Sequence, residues 1–193
     1  MLPIRAYDAV QPWATSKILF KVSEFDYADW GRPLIVLKYQ TGESLTLSLD
    51  TLVRADFRGA NFHRLMFDGM DLQNADFSRA SLRNVGFVGS KISGVKMVGA
   101  RLMNSYFMRV IARNSDLTNA IAVGADFSNG DFTGATLYNL DVRFANLERT
   151  KLVGADVRVK NAGDASWHGA TYDENTIWPS NFDPEKAGAK KMP

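Results

Sequence analysis

Three polar residues near the end of the chain are of the types used in nucleophilic catalysis. Ser166 and His168 are two residues apart, and Glu148 precedes His168 by twenty residues. A serine, an imidazole base and a carboxylate that orients the base form the triad of acyl-transfer enzymes. That chemistry also needs a concavity, an oxyanion site and exclusion of water, which the flat wall predicted below does not offer. We therefore interpret Glu148 and His168 as a surface ion pair and predict no catalytic residues and no enzyme activity.

Residues that commonly bind metals or phosphate are sparse. The chain has no cysteine and only two histidines, His63 and His168, which the predicted fold separates by roughly 25 Å, about five strand spacings. The glycines of the segment 86–91 do not have the spacing of a phosphate-binding loop. Aspartates recur at one repeated place, but cations interrupt them there: Lys91, Lys96, Arg101 and Lys151. We predict no metal site and no cofactor, and we expect these aspartates to bind local backbone at corners.

Composition excludes several classes of protein. The net charge is +2, which is too small to indicate a nucleic-acid binder and lacks the acidic excess of a DNA mimic. The first residues do not form a basic stretch followed by an apolar run, and no segment approaches the roughly twenty apolar residues of a membrane span. We expect a soluble cytoplasmic protein.

The element that positions all these side chains is a five-residue repeat. From Leu52 to Ile177 every fifth residue is uncharged and usually apolar, as in the unit Ala55-Asp56-Phe57-Arg58-Gly59. A period of five fits neither a helix, at 3.6, nor a simple strand, at two. It fits a chain that turns a corner every five residues, so that four units close a square coil and coils stack at about 4.8 Å. Counting Ile177 as the last inward centre, the repeat predicts about six and a half coils.

This pattern of Ala, then Asp or Asn, then Leu or Phe, resembles the pentapeptide-repeat family across residues 50–177. The resemblance implies an all-β fold, a right-handed quadrilateral β-helix (β-solenoid), and action through binding of other proteins. The best-known members are fluoroquinolone-resistance proteins that bind type II topoisomerase (DNA gyrase) by imitating the shape and charge of DNA. Residues 51–177 carry 15 Lys or Arg and 13 Asp or Glu, so this rod has no anionic surplus. The primary hypothesis is therefore a non-enzymatic protein–protein interaction scaffold, and a gyrase-interacting resistance or regulatory factor is the alternative.

The segment 1–49 does not join the repeat. Residues 34–39 and 45–49 are predicted to be strands, joined by a hairpin loop at 40–44. An open first coil would expose apolar core and unpaired backbone, so we predict that this segment caps it. An independent ligand-binding role stays open, and an enzyme would require a pocket where this segment meets the first coil, in a cleft lined by three of its residues: Asp8, Tyr27 and Trp30.

The segment 178–193 follows the repeat. Its two prolines and two aromatic residues end the pattern, and we predict a lid in which Trp178 and Phe182 pack over the last coil. Residues 186–193 are predicted to be frayed. Either this lid or a second chain could cover the last coil, so a monomer and an end-to-end dimer are both open.

A positive belt is the one non-uniform stretch of the predicted rod. No acidic residue lies between Asp76 and Asp116, whereas seven cations do. Outward positions in and beside the belt are apolar, a combination typical of contact surfaces. We predict a partner-binding patch formed by nine residues: Arg83, Val88, Arg101, Met103, Tyr106, Met108, Arg109, Arg113 and Val123. An acidic protein is the expected partner, and nucleic acid is disfavoured because outward aromatic residues are scarce.

Two places in the repeat conflict with the square core. Ala112 and Ala122 are small centres, so a register shift could turn their apolar neighbours inward: Ile111, Ile121 and Val123. Lys160 falls in an inward slot, where an unpaired charge is costly. We predict a bulge near residues 160–164 that releases Lys160 to solvent.

Overall fold

The computed structural model describes residues 35–47 and 49–193, so the suggested cleft of Asp8, Tyr27 and Trp30 lies outside the described residues. The named elements are short: β1 Ile35–Tyr39, β2 Ser44–Leu47, β3 Leu65–Met66, a 3₁₀ helix Ala162–Asp164, β4 Thr171–Tyr172 and β5 Lys190–Lys191. Within the described ranges, no helix has the length and hydropathy to cross a membrane.

Each five-residue unit is one bridge residue, one buried centre and one turn. In the unit of Phe57, the Ala60 N–H donates to the Phe57 carbonyl at 3.1 Å, and Gly59 has φ 69°. Positive φ at the third residue of a hydrogen-bonded turn is the mark of type II. Asp56 Oδ1 accepts the Arg58 amide at 3.1 Å, which confirms that aspartate here binds local backbone.

Parallel bridges join residues twenty apart and divide each coil into four faces. We number the faces by the first residue of each ladder: face 1 from Asp56, face 2 from Asn61, face 3 from Met66 and face 4 from Asp71. The bridge residues of face 3 are Met66, Gly86, Tyr106, Asp126, Asn146 and Ser166. The prediction of a coil that turns every five residues is confirmed by these ladders.

A column of stacked phenylalanine rings backs face 3. Phe67, Phe87, Phe107 and Phe127 are buried, with successive ring centroids 5.2, 4.8 and 5.1 Å apart and interplanar angles of 12–16°. Aromatic pairs at such distances contribute about 0.5–1.5 kcal/mol beyond their buried area. Face 3 is therefore a stiff wall whose outward side chains are held at fixed spacing.

The small centres do not shift the register. Ala112 and Ala122 are fully buried, while Ile111 and Ile121 remain outward and 43% and 40% exposed; Val123 is partly exposed as well. The Ala112 amide donates to the Asp131 carbonyl at 2.8 Å and the Ala122 amide to the Asp141 carbonyl at 2.9 Å. A shift would break such bonds along the ladder, and this loss outweighs the benefit of filling two corners.

The predicted bulge near Lys160 is confirmed. Asp141 pairs with Lys160, nineteen residues later, whereas Asn146 pairs with Ser166, twenty later. The chain turns at Asn161, which has φ 60°, into the helix Ala162–Asp164, and Lys160 is exposed. The shortened unit thus places the ammonium group in solvent instead of the core.

The assignment of Ile177 as an inward centre was wrong. Asp156 pairs with Ile177 at a separation of twenty-one, and Ile177 is 49% exposed while Thr176 is buried. The extra residue is absorbed in a turn in which the Asp173 amide donates to Thr176 Oγ1 at 3.1 Å. This turn moves every later side chain by one position.

The hairpin meets the first coil at face 3. Strand β1 pairs antiparallel with β2, and on its other side it pairs with β3 in the register Lys38↔Met66 and Tyr39↔Leu65. Leu37 and Leu47 are buried in the same cluster as the coil centres. The hairpin therefore extends the sheet of face 3 by two strands.

At the other end, aromatic rings cover the last coil. The ring of Trp178 lies 5.1 Å from that of Trp167 and 5.5 Å from that of Phe182. The expectation that residues 186–193 are frayed was wrong, because Lys190–Lys191 pairs in parallel with Thr171–Tyr172. This pairing satisfies backbone groups that the last coil would otherwise leave open.

Asp173 in this last turn gives a pH prediction. The backbone amide of Gly154 donates to its Oδ1 at 2.8 Å, and this bond, with those from Asn175 and Thr176, lowers the pKa of Asp173 to about 2. A lowered pKa means that the ionised form stabilises the fold above about pH 4, and that this contribution disappears as the pH falls through about 2. Asp173→Asn should therefore be less stable than the native chain in urea at pH 7, with a difference that shrinks towards pH 2. A difference independent of pH would contradict the assignment.

Candidate partner-binding face

Seven of the nine predicted residues lie on face 3 or at its two edges. Tyr106 is a bridge residue of that face. Six others occupy its two edges: Arg83, Met103 and Val123 at the edge with face 2, and Val88, Met108 and Arg109 at the edge with face 4. Arg101 is a bridge residue of face 2. Arg113 lies beyond face 4, so it is the one predicted residue that does not border face 3 or its neighbouring ladder.

The apolar residues at these edges stack as the repeat predicts. The Asn104 amide donates to the Val123 carbonyl at 3.0 Å, which places Met103 one coil from Val123, and the Gly89 amide donates to the Met108 carbonyl at 2.9 Å. Tyr106 stands between the two stacks and is 40% exposed. At the level of Tyr106, face 3 thus carries an apolar strip that spans the face from one edge to the other.

Phe144 belongs to this surface and was missed in the sequence. It lies two coils beyond Asn104 at the edge between faces 2 and 3, is 76% exposed and has φ 58°. Among the described residues with positive φ, all others are Gly, Asn or Arg. A bulky side chain in the left-handed region costs about 1–2 kcal/mol, and an outlier of this kind points to a role outside the fold. An aromatic residue at the fifth place of its unit was the signal that could have identified it.

Three arginines around face 3 form no ion pair with a carboxylate of the described residues. Within the part of the chain that the structure describes, the ion pairs do not include Arg83, Arg101 or Arg109. Arg113, by contrast, contacts Asp131 through its guanidinium at 2.8 Å. The three unpaired cations flank Tyr106 on both sides and are available to an acidic ligand.

His63 adds no charge to this surface near neutral pH. Its Nε2 lies 3.0 Å from Asn84 Nδ2. Burial lowers the pKa of His63, and the nearby charges of Arg64 and Arg83 lower the pKa further. The imidazole is therefore neutral at pH 7, and the positive charge of the edge comes from arginine.

Residues 60–137 match the family model of the pentapeptide repeat region. They contain the three unpaired arginines, Tyr106 and the stacked phenylalanine column. The chain is a pentapeptide-repeat protein.

This pentapeptide-repeat protein is similar to several solved structures. One is QnrB1, a plasmid-mediated fluoroquinolone resistance protein, with 15% identity, 73% of this chain and 84% of that chain covered, and a TM-score of 0.42. A second is a pentapeptide repeat protein from the Arabidopsis thaliana thylakoid lumen, with 26% identity, 63% and 70% coverage, and a TM-score of 0.39. A third, from the cyanobacterium Cyanothece 51142, has 22% identity, 65% and 89% coverage, and a TM-score of 0.33. None of the curated proteins matches the sequence.

The triad-like residues of the pentapeptide-repeat protein do not assemble. Ser166 Oγ donates to Glu148 Oε1 at 2.9 Å. The predicted ion pair between Glu148 and His168 was wrong, because no ion pair in residues 35–47 and 49–193 joins them. Ser166 lies on face 3 directly after Asn146 in the ladder, which places its hydroxyl next to Glu148 and satisfies that carboxylate instead.

The described residues also lack a metal cluster. No three His, Asp or Glu side chains in those ranges form a group that could hold a metal ion. A gap in the core has no room for a water molecule. It is lined by Phe127, Phe132, Leu137, Leu140 and Leu147. What face 3 offers is a flat, stiff and basic surface.

Proposed function

We propose that this pentapeptide-repeat protein is a non-enzymatic, cytoplasmic interaction scaffold that binds an acidic protein partner across face 3. The observation that carries the proposal is the half-exposed Tyr106 surrounded by three arginines, Arg83, Arg101 and Arg109, that are unpaired among the described residues. Tyr, Met and Arg are enriched where protein interfaces are buried. The phenylalanine column holds the face rigid, so a partner would order little of it on binding.

The charges on face 3 define how a partner would lie. Asp68 lies at the edge one coil before Val88, and its Oδ1 accepts a hydrogen bond from the Val88 amide at 2.8 Å. Asp126 follows Tyr106 in the ladder of face 3. An acidic segment that crosses the rod at Tyr106 meets arginine on both sides. A nucleic-acid strand that ran along the rod would meet the two aspartates, and phosphate would be repelled there.

The same proposal includes the architecture around the face. We propose a right-handed solenoid of about six and a half coils, with the hairpin β1–β2 as its N-terminal cap and residues 178–193 as its lid. The pairing of β1 with β3 and the contact of Trp178 with Trp167 support these two ends. Topoisomerase binding by DNA mimicry remains the alternative, and the unpaired arginines oppose it because a DNA mimic presents negative charge.

Charge reversal at face 3 is expected to abolish partner binding. A variant with Arg83→Glu, Arg101→Glu and Arg109→Glu should lose the partner by at least about ten-fold in affinity, since like charges at an interface cost several kcal/mol. The control substitutes Glu for Arg54, Arg79 and Lys151, which lie outside face 3 and its two edges, and changes the net charge equally. Affinity capture with quantitative mass spectrometry, after circular dichroism has shown all chains folded, measures the loss.

Only a partner with an acidic segment that the face 3 variant loses and the control retains would support the proposal. Equal capture by both variants would contradict it. Selective loss of topoisomerase subunits would establish the alternative.

A further inference from the structure

The outer strand of the hairpin has the features of a strand that pairs with another chain. The sheet order β2–β1–β3 puts β2 at the edge, and among the described residues β2 pairs with β1 alone. An edge strand presents a row of backbone N–H and C=O groups to any strand that approaches it. We propose that β2 pairs in antiparallel orientation with β2 of a second copy, and that this pairing joins two rods through their hairpins.

The two ends of the rod have edge strands of opposite character. At the C-terminal end, β5 is the outer strand of its sheet and consists of two exposed lysines, Lys190 and Lys191. Exposed lysines on an edge strand oppose pairing with further chains, because the like charges of two such strands repel. Strand β2 has the sequence Ser-Leu-Thr-Leu and contains no charge, proline or glycine. The hairpin end therefore has the edge that can accept another strand.

The side chains of β2 select one register for pairing with itself. Leu45 and Leu47 are the partly buried and buried residues of the strand, while Ser44 and Thr46 are exposed. A two-fold axis at Thr46 places Leu45 opposite Leu47 of the second copy on the inner side and threonine opposite threonine on the outer side, and such cross-strand pairs are favourable. A two-fold axis at Leu45 would place Glu43 opposite Leu47 on the inner side, where a carboxylate is costly.

The pairing makes face 3 continuous across two copies. Because β1 and β2 extend the sheet of face 3, a two-fold axis perpendicular to this sheet turns face 3 of both copies to the same side. Between β2 and Tyr106 lie β1, Met66 and Gly86. The two copies of Tyr106 are therefore nine strand spacings apart along the rods, about 43 Å. A partner with two acidic segments could bind both copies at once, with a gain in overall affinity.

The contact is short, so the association is expected to be weak. A pair of four-residue strands buries less surface than a standard interface of about 1,600 Å². Sedimentation velocity of the full chain should show a monomer at low micromolar concentration and a dimer towards millimolar concentration. Thr46→Lys places like charges opposite each other at the two-fold axis and should abolish the dimer. An equal mixture of the Thr46→Lys and Thr46→Glu chains should restore it, which shows that the loss does not come from misfolding.

Disulfide crosslinking tests the register, because the chain has no cysteine. In Thr46→Cys the two introduced thiols face each other, with Cα atoms about 4.5–5.5 Å apart, which is within the range of a disulfide. The control is Ser44→Cys, also exposed on β2, whose two copies are four residues apart along the strand, about 13 Å. Mild oxidation at high protein concentration should give several-fold more covalent dimer from Thr46→Cys than from Ser44→Cys.

Equal yields from the two cysteine variants, little covalent dimer from either, or a dimer that persists in Thr46→Lys would overturn the inference. So would a monomer at every concentration, which is the result expected if another part of this chain or a different protein covers β2. The pairing needs no partner at face 3, so its failure is distinguishable from failure of the proposed function. An acidic partner captured by a monomer would remove the dimer alone, and a dimer without such a partner would remove the proposed function alone.

Discussion

Phe107→Ala is expected to lower the free energy of unfolding by about 3–5 kcal/mol, the range for a buried aromatic ring cut to alanine in a packed core. Phe107 is fully buried, and its ring stacks on Phe87 at 4.8 Å and on Phe127 at 5.1 Å. The cavity cannot close easily, because ladder hydrogen bonds fix the backbone on both sides. Urea denaturation followed by circular dichroism measures the loss.

Phe144→Ala is the matched control for this experiment. The same side chain is removed, but Phe144 is 76% exposed, so we expect a change within about 1 kcal/mol. The measured order should be a large loss at Phe107 and a small change at Phe144. Similar losses at both positions would contradict the placement of the two rings.

Trp178→Ala is expected to have the second largest effect, a loss of about 2–3 kcal/mol. Its ring contacts those of Trp167, Tyr172 and Phe182, but the side chain is only partly buried. Among the described residues, its indole Nε1 is buried without a hydrogen-bond partner, so the substitution also removes an unsatisfied donor. We therefore place the loss below that of a fully buried tryptophan.

Ile177 provides the control, because the register change turns Ile177 outward and leaves Trp178 partly buried. Ile177→Ala should change stability by less than about 1 kcal/mol, since Ile177 is 49% exposed. A strict five-residue period places Ile177 inward and predicts the opposite order. If urea denaturation showed a larger loss of stability for Ile177→Ala than for Trp178→Ala, the strict five-residue period would be supported and the register change contradicted.

The five-residue period predicted the ladders because each unit repeats the same local requirements: a small or apolar inward residue, an outward residue at the bridge, and a residue that accepts positive φ. Lys160 was predicted correctly because a buried charge is costly in any register. Ile177 was not, because the extra residue depends on the bond between the Asp173 amide and Thr176 Oγ1. A local side-chain hydrogen bond of this kind can add a residue to a turn, but the five-residue pattern of the sequence does not reveal it.

The candidate site could be predicted in composition but not in arrangement. Counting by twenties places Met103 beside Val123 and Val88 beside Met108, as the structure shows. The availability of each arginine depends on side-chain contacts, so the pairing of Arg113 with Asp131 could not be read from the period.

The most direct measurement is photo-crosslinking from two tyrosine positions with equal exposure. Tyr106 on face 3 and Tyr138 near face 1 are 40% and 41% exposed, and Arg158 covers the ring of Tyr138 at 4.9 Å. Benzoylphenylalanine at position 106 should crosslink an acidic partner, and the same group at position 138 should not. Crosslinking of the same partner from both positions, or from position 138 alone, would contradict the assignment of face 3 as the binding surface.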